Sequence, residues 1–245
     1  GAVLHGTSLS RLYLSANDIG TQGTKVLAGA IAENDAKIRA DPSRYNPLRC
    51  GIKELDIGSS RISGEGFIAI PGMLLTNTMI TSLWLSNNGL DDSDMALLAQ
   101  ALTQNKRVPI EDLTLSFNNI TCRGVEDLMN AVWGSTTLKI MKLDNNRVQD
   151  RGAQLCAVVL TSIQLVELDL GCNQITTVGV KALMKNVSEN SSLVSLGLCG
   201  INISHPEFSL LKGLFLIHKA FDLLICWVSR FRGLTIWQHR ETAKP

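Results

Sequence analysis

The sequence predicts an α/β fold, a right-handed solenoid of about seven strand–helix repeats curved into a horseshoe arc, with a C-terminal apolar helical tail. Three observations predict it. A short segment of alternating apolar residues, as in LTLSFNN (113–119), recurs along the chain. An asparagine recurs at one fixed slot behind it. A glycine follows, and then apolar residues at helical spacing.

The repeats align on Leu9, Ile52, Ile80, Ile110, Leu138, Leu165 and Leu193, at intervals of 43, 28, 30, 28, 27 and 28 residues. In each, an L-x-L core alternates with period 2, so its leucines share one face of a short strand. The slot that ends the strand holds Asn17, Ser60, Asn88, Asn118, Asn146, Asn173 and Ile201. A buried Asn amide donates and accepts at once, so it can satisfy backbone groups of its own turn and of its neighbour's. Stacked copies would therefore form a ladder. Ser60 substitutes in part, and Ile201 ends it.

Beyond the slot stands Gly23, Gly66, Gly124, Gly152 or Gly179, with Asp94 as the exception. Apolar residues then follow at helical spacing, among them Val26, Leu27 and Ile31, or Leu97, Leu98 and Leu102, or Ala182, Leu183 and Val187. One strand–helix unit cannot bury its apolar face alone, whereas a stack buries strand leucines against helix leucines in one core. Helices are about 10 Å wide and strands about 4.8 Å apart, so the stack curves with its strands inside.

This frame, L-x-x-L-x-L-x-x-N-x-L with its downstream glycine and helix, resembles the leucine-rich repeat of the ribonuclease-inhibitor type over about residues 4–204. The resemblance implies the horseshoe and a scaffold reused for many protein partners. It also resembles the repeats of Ran GTPase activators and of NOD-like receptor sensor domains. Two further readings follow: a GTPase-activating regulator and a sensor fragment. Activation needs a positioned Arg or Asn at the GTPase, and no local motif identifies one, so no residue is carried over.

Two departures divide the chain into a solenoid (1–204) and a tail (205–245). The first interval is long because of an insertion at about 35–49, within NDAKIRADPSRYNPLRC (34–50), rich in Lys and Arg. It reads as a tolerated surface loop or as a partner-contact loop anchored by Tyr45. The tail carries an apolar run at 208–228, with Phe215, Phe221 and Trp227 as anchors and Lys212, His218, Lys219 and Asp222 gathered on one helical stripe. Three readings stay open for it. It could cap the open end of the core, dock a partner or a membrane, or span a bilayer, where its charges would be costly.

Composition narrows the function. With 23 basic and 22 acidic residues the charge is +1, which gives no support for nucleic acid as a partner. Nothing implies a homo-oligomer. Gly1 stands in place of Met, as expected of a fragment or a processed chain, and GAVLHGTSLS is too short and too polar for a signal peptide. The scattered cysteines, without CxxC or zinc spacing, read as reduced thiols of an intracellular protein, peripheral to a membrane if the tail docks there. No nucleotide, metal or hydrolase motif occurs, and the histidines (His5, His205, His218 and His239) lie outside the well-formed repeats. The chain therefore reads as a non-enzymatic scaffold or complex subunit, with no catalytic residue, cofactor or metal.

The strand residues between the leucines face the open, concave side. The acidic ones are Glu54, Asp56, Asp112, Glu167 and Asp169, extended by Asp144; the basic ones are Arg11 and Lys142. Tyr13 and Trp84 flank the Glu54–Asp56 pair, and large aromatics on an exposed sheet face are hot-spot candidates. The expected ligand is a basic segment of a protein partner, bound by Tyr13, Glu54, Asp56, Trp84, Asp112, Lys142, Glu167 and Asp169.

Overall fold

The computed structural model describes residues 9–45, 50–187 and 189–201. Among them strands and helices alternate: β1 (Arg11–Tyr13), α1 (Gly20–Ala40), β2 (Glu54–Asp56), a 3₁₀ turn (Gly64–Gly66), α2 (Ala69–Leu74), β3 (Ser82–Trp84), α3 (Asp92–Gln104), β4 (Asp112–Thr114), α4 (Cys122–Val132), β5 (Ile140–Lys142), α5 (Gln149–Leu160), β6 (Glu167–Asp169), α6 (Thr177–Val187) and β7 (Ser195–Gly197). The strands form one parallel sheet in chain order. The fold class and the strand register expected from the sequence are both borne out. Leu12 pairs with Leu55, then Leu83, Leu113, Met141, Leu168 and Leu196. From Leu55 onward this row is at most 1% exposed.

The helices close the other side of that row. In α1 the buried stripe is Thr24, Ala28, Ile31 and Ile38, which is the i, i+4, i+7 spacing of one helical face. Val26 and Leu97, grouped with the core residues from sequence, face solvent instead. The apolar pattern there is wider than the stripe one neighbouring repeat covers.

α1 is 21 residues long, and it absorbs the start of the insertion. Asp35 is buried beneath it, accepting from the Thr78 N–H (3.2 Å) and hydroxyl (3.3 Å) of the next repeat, with Arg39 at 3.5 Å. The helix stops at Ala40, just before Pro42, and Asp41 caps a turn through Ser43 and Arg44. Residues 46–49 lie outside the described residues.

The asparagines stitch one repeat to the next. Asn146 donates to Leu115 O in the preceding repeat (3.0 Å) and to Leu143 O in its own (3.0 Å), while its Oδ1 receives Ile120 N–H (3.0 Å). Asn88, Asn118 and Asn173 repeat the scheme. Ser60 reaches Gly58 O at 3.0 Å, and its own N–H goes to Asn88 Oδ1 at 2.8 Å. Asn17, at the exposed edge, bonds among the described residues only within its own turn. The residue before each slot is left-handed, from Ser59 (φ 52°) to Gly200 (φ 70°).

Two features went unread in the sequence. Asp92 in the first turn of α3 accepts from the Thr121 N–H, the Thr121 hydroxyl and the Gly124 N–H, capping the next helix at 2.6–3.0 Å. Asp150 does the same for Thr176 and Gly179 at 2.7–3.0 Å. Two of the glycines are thereby explained: a Cβ on Gly124 would lie 2.6 Å from Asp92 Oδ1, and one on Gly179 would lie 2.7 Å from Asp150 Oδ1. Asp94, the exception, closes a capping box with Asp91. A second polar row sits where helices return to strands. Asn105 donates to Leu74 O (2.7 Å) and Asn77 O (2.6 Å), and Asn190 donates to Ile163 O (3.3 Å).

The tail, including 208–228 and the anchors Phe215, Phe221 and Trp227, lies outside the described residues. Among the described residues no helix is long and apolar enough to cross a membrane.

Candidate functional site: the open strand face

Each three-residue strand points its middle residue into the core and its two flanking residues outward. Parallel pairing lines the flanking residues into two rows. One reads Arg11, Glu54, Ser82, Asp112, Ile140, Glu167 and Ser195; the other reads Tyr13, Asp56, Trp84, Thr114, Lys142, Asp169 and Gly197. All eight residues assigned to this face from sequence stand in these rows.

The structure brings them into contact. Tyr13 and Trp84 lie two strands apart, yet their rings stack at 5.6 Å between centroids and 21° between planes. Asp56 stands between them in register. The Tyr13 hydroxyl donates to Glu54, which holds the phenol above its usual pKa. Trp84 Nε1 donates to Asp112 Oδ2 at 2.8 Å, and Thr114 Oγ1 donates to the other oxygen at 3.1 Å. Both rings are therefore fixed by a carboxylate at their polar edge. Tyr13 is 53% exposed.

The other half of the face is a charge network. Lys142 Nζ meets Glu167 Oε1 at 3.0 Å. Burial alone would lower the lysine's pKa, but Glu167, Asp112 and Asp169 outweigh it and raise it. Asp169 is raised by burial first, then by Asp144 and Glu167, against the Gly171 N–H at 2.9 Å. Gly197 gives its carboxylate room, since a Cβ there would lie 2.3 Å from Oδ1. Ser116 and Asn145 hold Asp144 beside this cluster.

The face thus offers carboxylates with free lone pairs around a rigid aromatic plate, an arrangement suited to cationic side chains. Tyr45 stands apart from it, in the turn after α1, with Arg44 stacked over its ring at 5.4 Å. Among the described residues no group of three His, Cys, Asp or Glu is placed to hold a metal ion.

Sequence reading missed Trp133, which follows α4 and is 55% exposed. It lies off the strand pattern, and its aromatic character was the only signal for it.

Comparisons with known proteins agree with the repeat. A family model described as Leucine Rich repeat matches residues 76–99 and 162–184. NACHT, LRR and PYD domains-containing protein 5 of Mus musculus is 27% identical over 245 residues, covering 99% of this chain and 19% of its own length. NACHT, LRR and PYD domains-containing protein 13 of Homo sapiens is 28% identical over 193 residues, covering 78% and 17%. Ribonuclease inhibitor of Mus musculus is 26% identical over 229 residues, covering 92% and 47%. The chain therefore spans less than half the length of each of these relatives. Among solved structures, Leiomodin-1 Actin-Binding Site 2 matches at 19% identity with a TM-score of 0.47, covering 77% of this chain and 85% of that one.

Proposed function

We propose that this chain, whose repeats are leucine-rich repeats of the ribonuclease-inhibitor-like type, is a non-enzymatic interaction module that binds a basic segment of a partner protein across its open strand face. The observation that carries this is the Tyr13–Trp84 stack beside Glu54, Asp56 and Asp112. A large aromatic plate held at the surface by carboxylates costs little conformational entropy to bind, and anchors of this kind dominate interface energies. The surrounding acidic rows give the partner its sign and raise its encounter rate. Tyr45 beside Arg44 is a secondary contact on the insertion. Ribonuclease inhibitor carries a protein ligand in its name, which fits the same use of the repeat.

The experiment is affinity capture of native partners by the full chain and by Trp84→Ala and Asp56→Ala variants, with recovered proteins quantified by mass spectrometry. Selective loss of one or more partners supports the reading. Recovery unchanged in both variants rejects it.

A second reading is favoured by the relatives that carry a NACHT and a PYD beside their leucine-rich repeats. The chain would then be the sensing part of such a receptor, using the same face. A transcript encoding a P-loop upstream of Gly1 in one reading frame supports it; a stop codon in frame at that place removes it.

A further inference from the structure

We propose that the rim where helices return to strands is a second docking surface, which takes an extended acidic segment of a protein and seats one aliphatic or aromatic side chain beside Trp133.

Two recesses lie along this rim and meet at Asn105 and Lys106. The first, about 430 Å³, is bounded by Arg39 at the end of α1, by Leu75 after α2 and by Arg107 after α3. It exists because the flanking helices run further. α1 ends at Ala40, 23 residues past Asn17, and α3 at Gln104, 16 past Asn88, whereas α2 ends at Leu74, 14 past Ser60, so their ends overhang the loop that follows it. The second, about 200 Å³, lies between the loop after α3 and the loop after α4, with Val108 and Trp133 on its walls. The interval from Ile80 to Ile110 is 30 residues, the longest apart from the first, and Pro109 stands in its returning loop. At Trp133 the helix ends (φ −53°, ψ 124°), and Gly134 at φ +70° turns the chain away. The indole is left at the mouth.

Charge selects the occupant. No Asp or Glu lines either recess, whereas Arg39, Lys106 and Arg107 do. Arg39 is engaged with Asp35 and Thr76 O. Lys106 and Arg107 are exposed and make no ion pair among the described residues. The sign is opposite to that of the strand face. The apolar walls of Leu75, Val108 and Trp133 favour a peptide with a side chain to bury over a bare polyanion. The smaller recess lies below the range of about 300–1,000 Å³ that small-molecule sites occupy, and suits a single side chain.

The test titrates the full chain with short fluorescent peptides made of Asp and Glu around one central Leu, Phe or Ala. An oligothymidylate of matched charge and a Lys-for-Glu peptide serve as comparators. Peptides centred on Leu or Phe are expected to bind at least about tenfold more tightly than the Ala-centred one. Binding should weaken with salt. Trp133→Ala should erase the preference for an apolar centre, and Lys106→Glu with Arg107→Glu should abolish binding altogether. All three side chains are exposed, so melting curves should show the variants folded. Trp84→Ala should leave this binding unchanged, which separates it from the strand face. Binding that survives the double charge reversal, or oligothymidylate that binds as tightly as the peptides, overturns the proposal.

Discussion

Asn118 Oδ1 receives the backbone N–H of Asn88 at 3.0 Å, one repeat away in space and 30 residues away in sequence. The same oxygen receives Leu90 N–H at 3.0 Å, and Nδ2 donates to Leu85 O and Leu115 O at 3.1 and 2.9 Å. Replacing this amide strands backbone groups of two repeats in a buried place. Asn118→Ala should cost about 3 kcal/mol of unfolding free energy, against less than about 1 kcal/mol for Asn17→Ala, whose bonds are exposed and local. Urea unfolding of the two variants measures the contrast. Equal losses would show that bonding between repeats contributes nothing.

Glycines separate in the same way. A Cβ on Gly179 would lie 2.7 Å from both Asp150 Oδ1 and Ile175 Cγ2, so Gly179→Ala should cost about 2 kcal/mol. Gly29, inside α1, has nothing within 4 Å of its Cβ position, so Gly29→Ala should gain about 1 kcal/mol. Melting temperatures moving in opposite directions are the expected readout.

Two aspartates should give opposite pH dependences. Asp169 is raised from 3.8, by burial above all. The folded state therefore holds its proton more tightly than the unfolded one, and this contribution is lost as pH rises through the raised value. Asp169→Asn should gain on the parent protein as pH climbs from about 4. Asp150 feels burial first, but Thr176 and Gly179 outweigh it and lower its pKa. Its contribution is present above the usual carboxylate range and lost on acidification. Asp150→Asn should therefore be less stable than the parent at neutral pH, with the gap closing in acid. Thermal melts across pH check both signs.

Thiol reactivity should follow burial. Cys156 is fully enclosed, and desolvation pushes its pKa up to about 12. Cys172 is exposed. Alkylation at neutral pH, read by peptide mass spectrometry, should modify Cys172 in the folded chain and reach Cys156 only after unfolding.

The strand register was legible because the period-2 pattern of Leu113 and Leu115, and the Asn118 slot behind it, recur with little variation. The returning loops were not. Asn105 and Asn190 bond to the preceding repeat as Asn118 does, and with Asn77 they stand 17 residues past their slots, but Ser135 and Ile163 hold the same place in two other repeats, so the residue type does not recur. The caps from Asp92 and Asp150 were hidden because each serves the helix of the next repeat. Sequence placed Tyr13 and Trp84 on one face. Only side-chain geometry brings their rings together over an intervening strand. Trp133 escaped because it follows a helix and belongs to no repeating position.

The most direct test puts a photo-crosslinking residue at Thr114, which sits between Trp84 and Lys142 in the register of the open face. A control carries the same group at Lys181, exposed on α6. In native extract, Thr114 should crosslink to a Lys- and Arg-rich stretch of a partner, and Lys181 should not. Crosslinks from Lys181 with none from Thr114 would contradict recognition by the strand face.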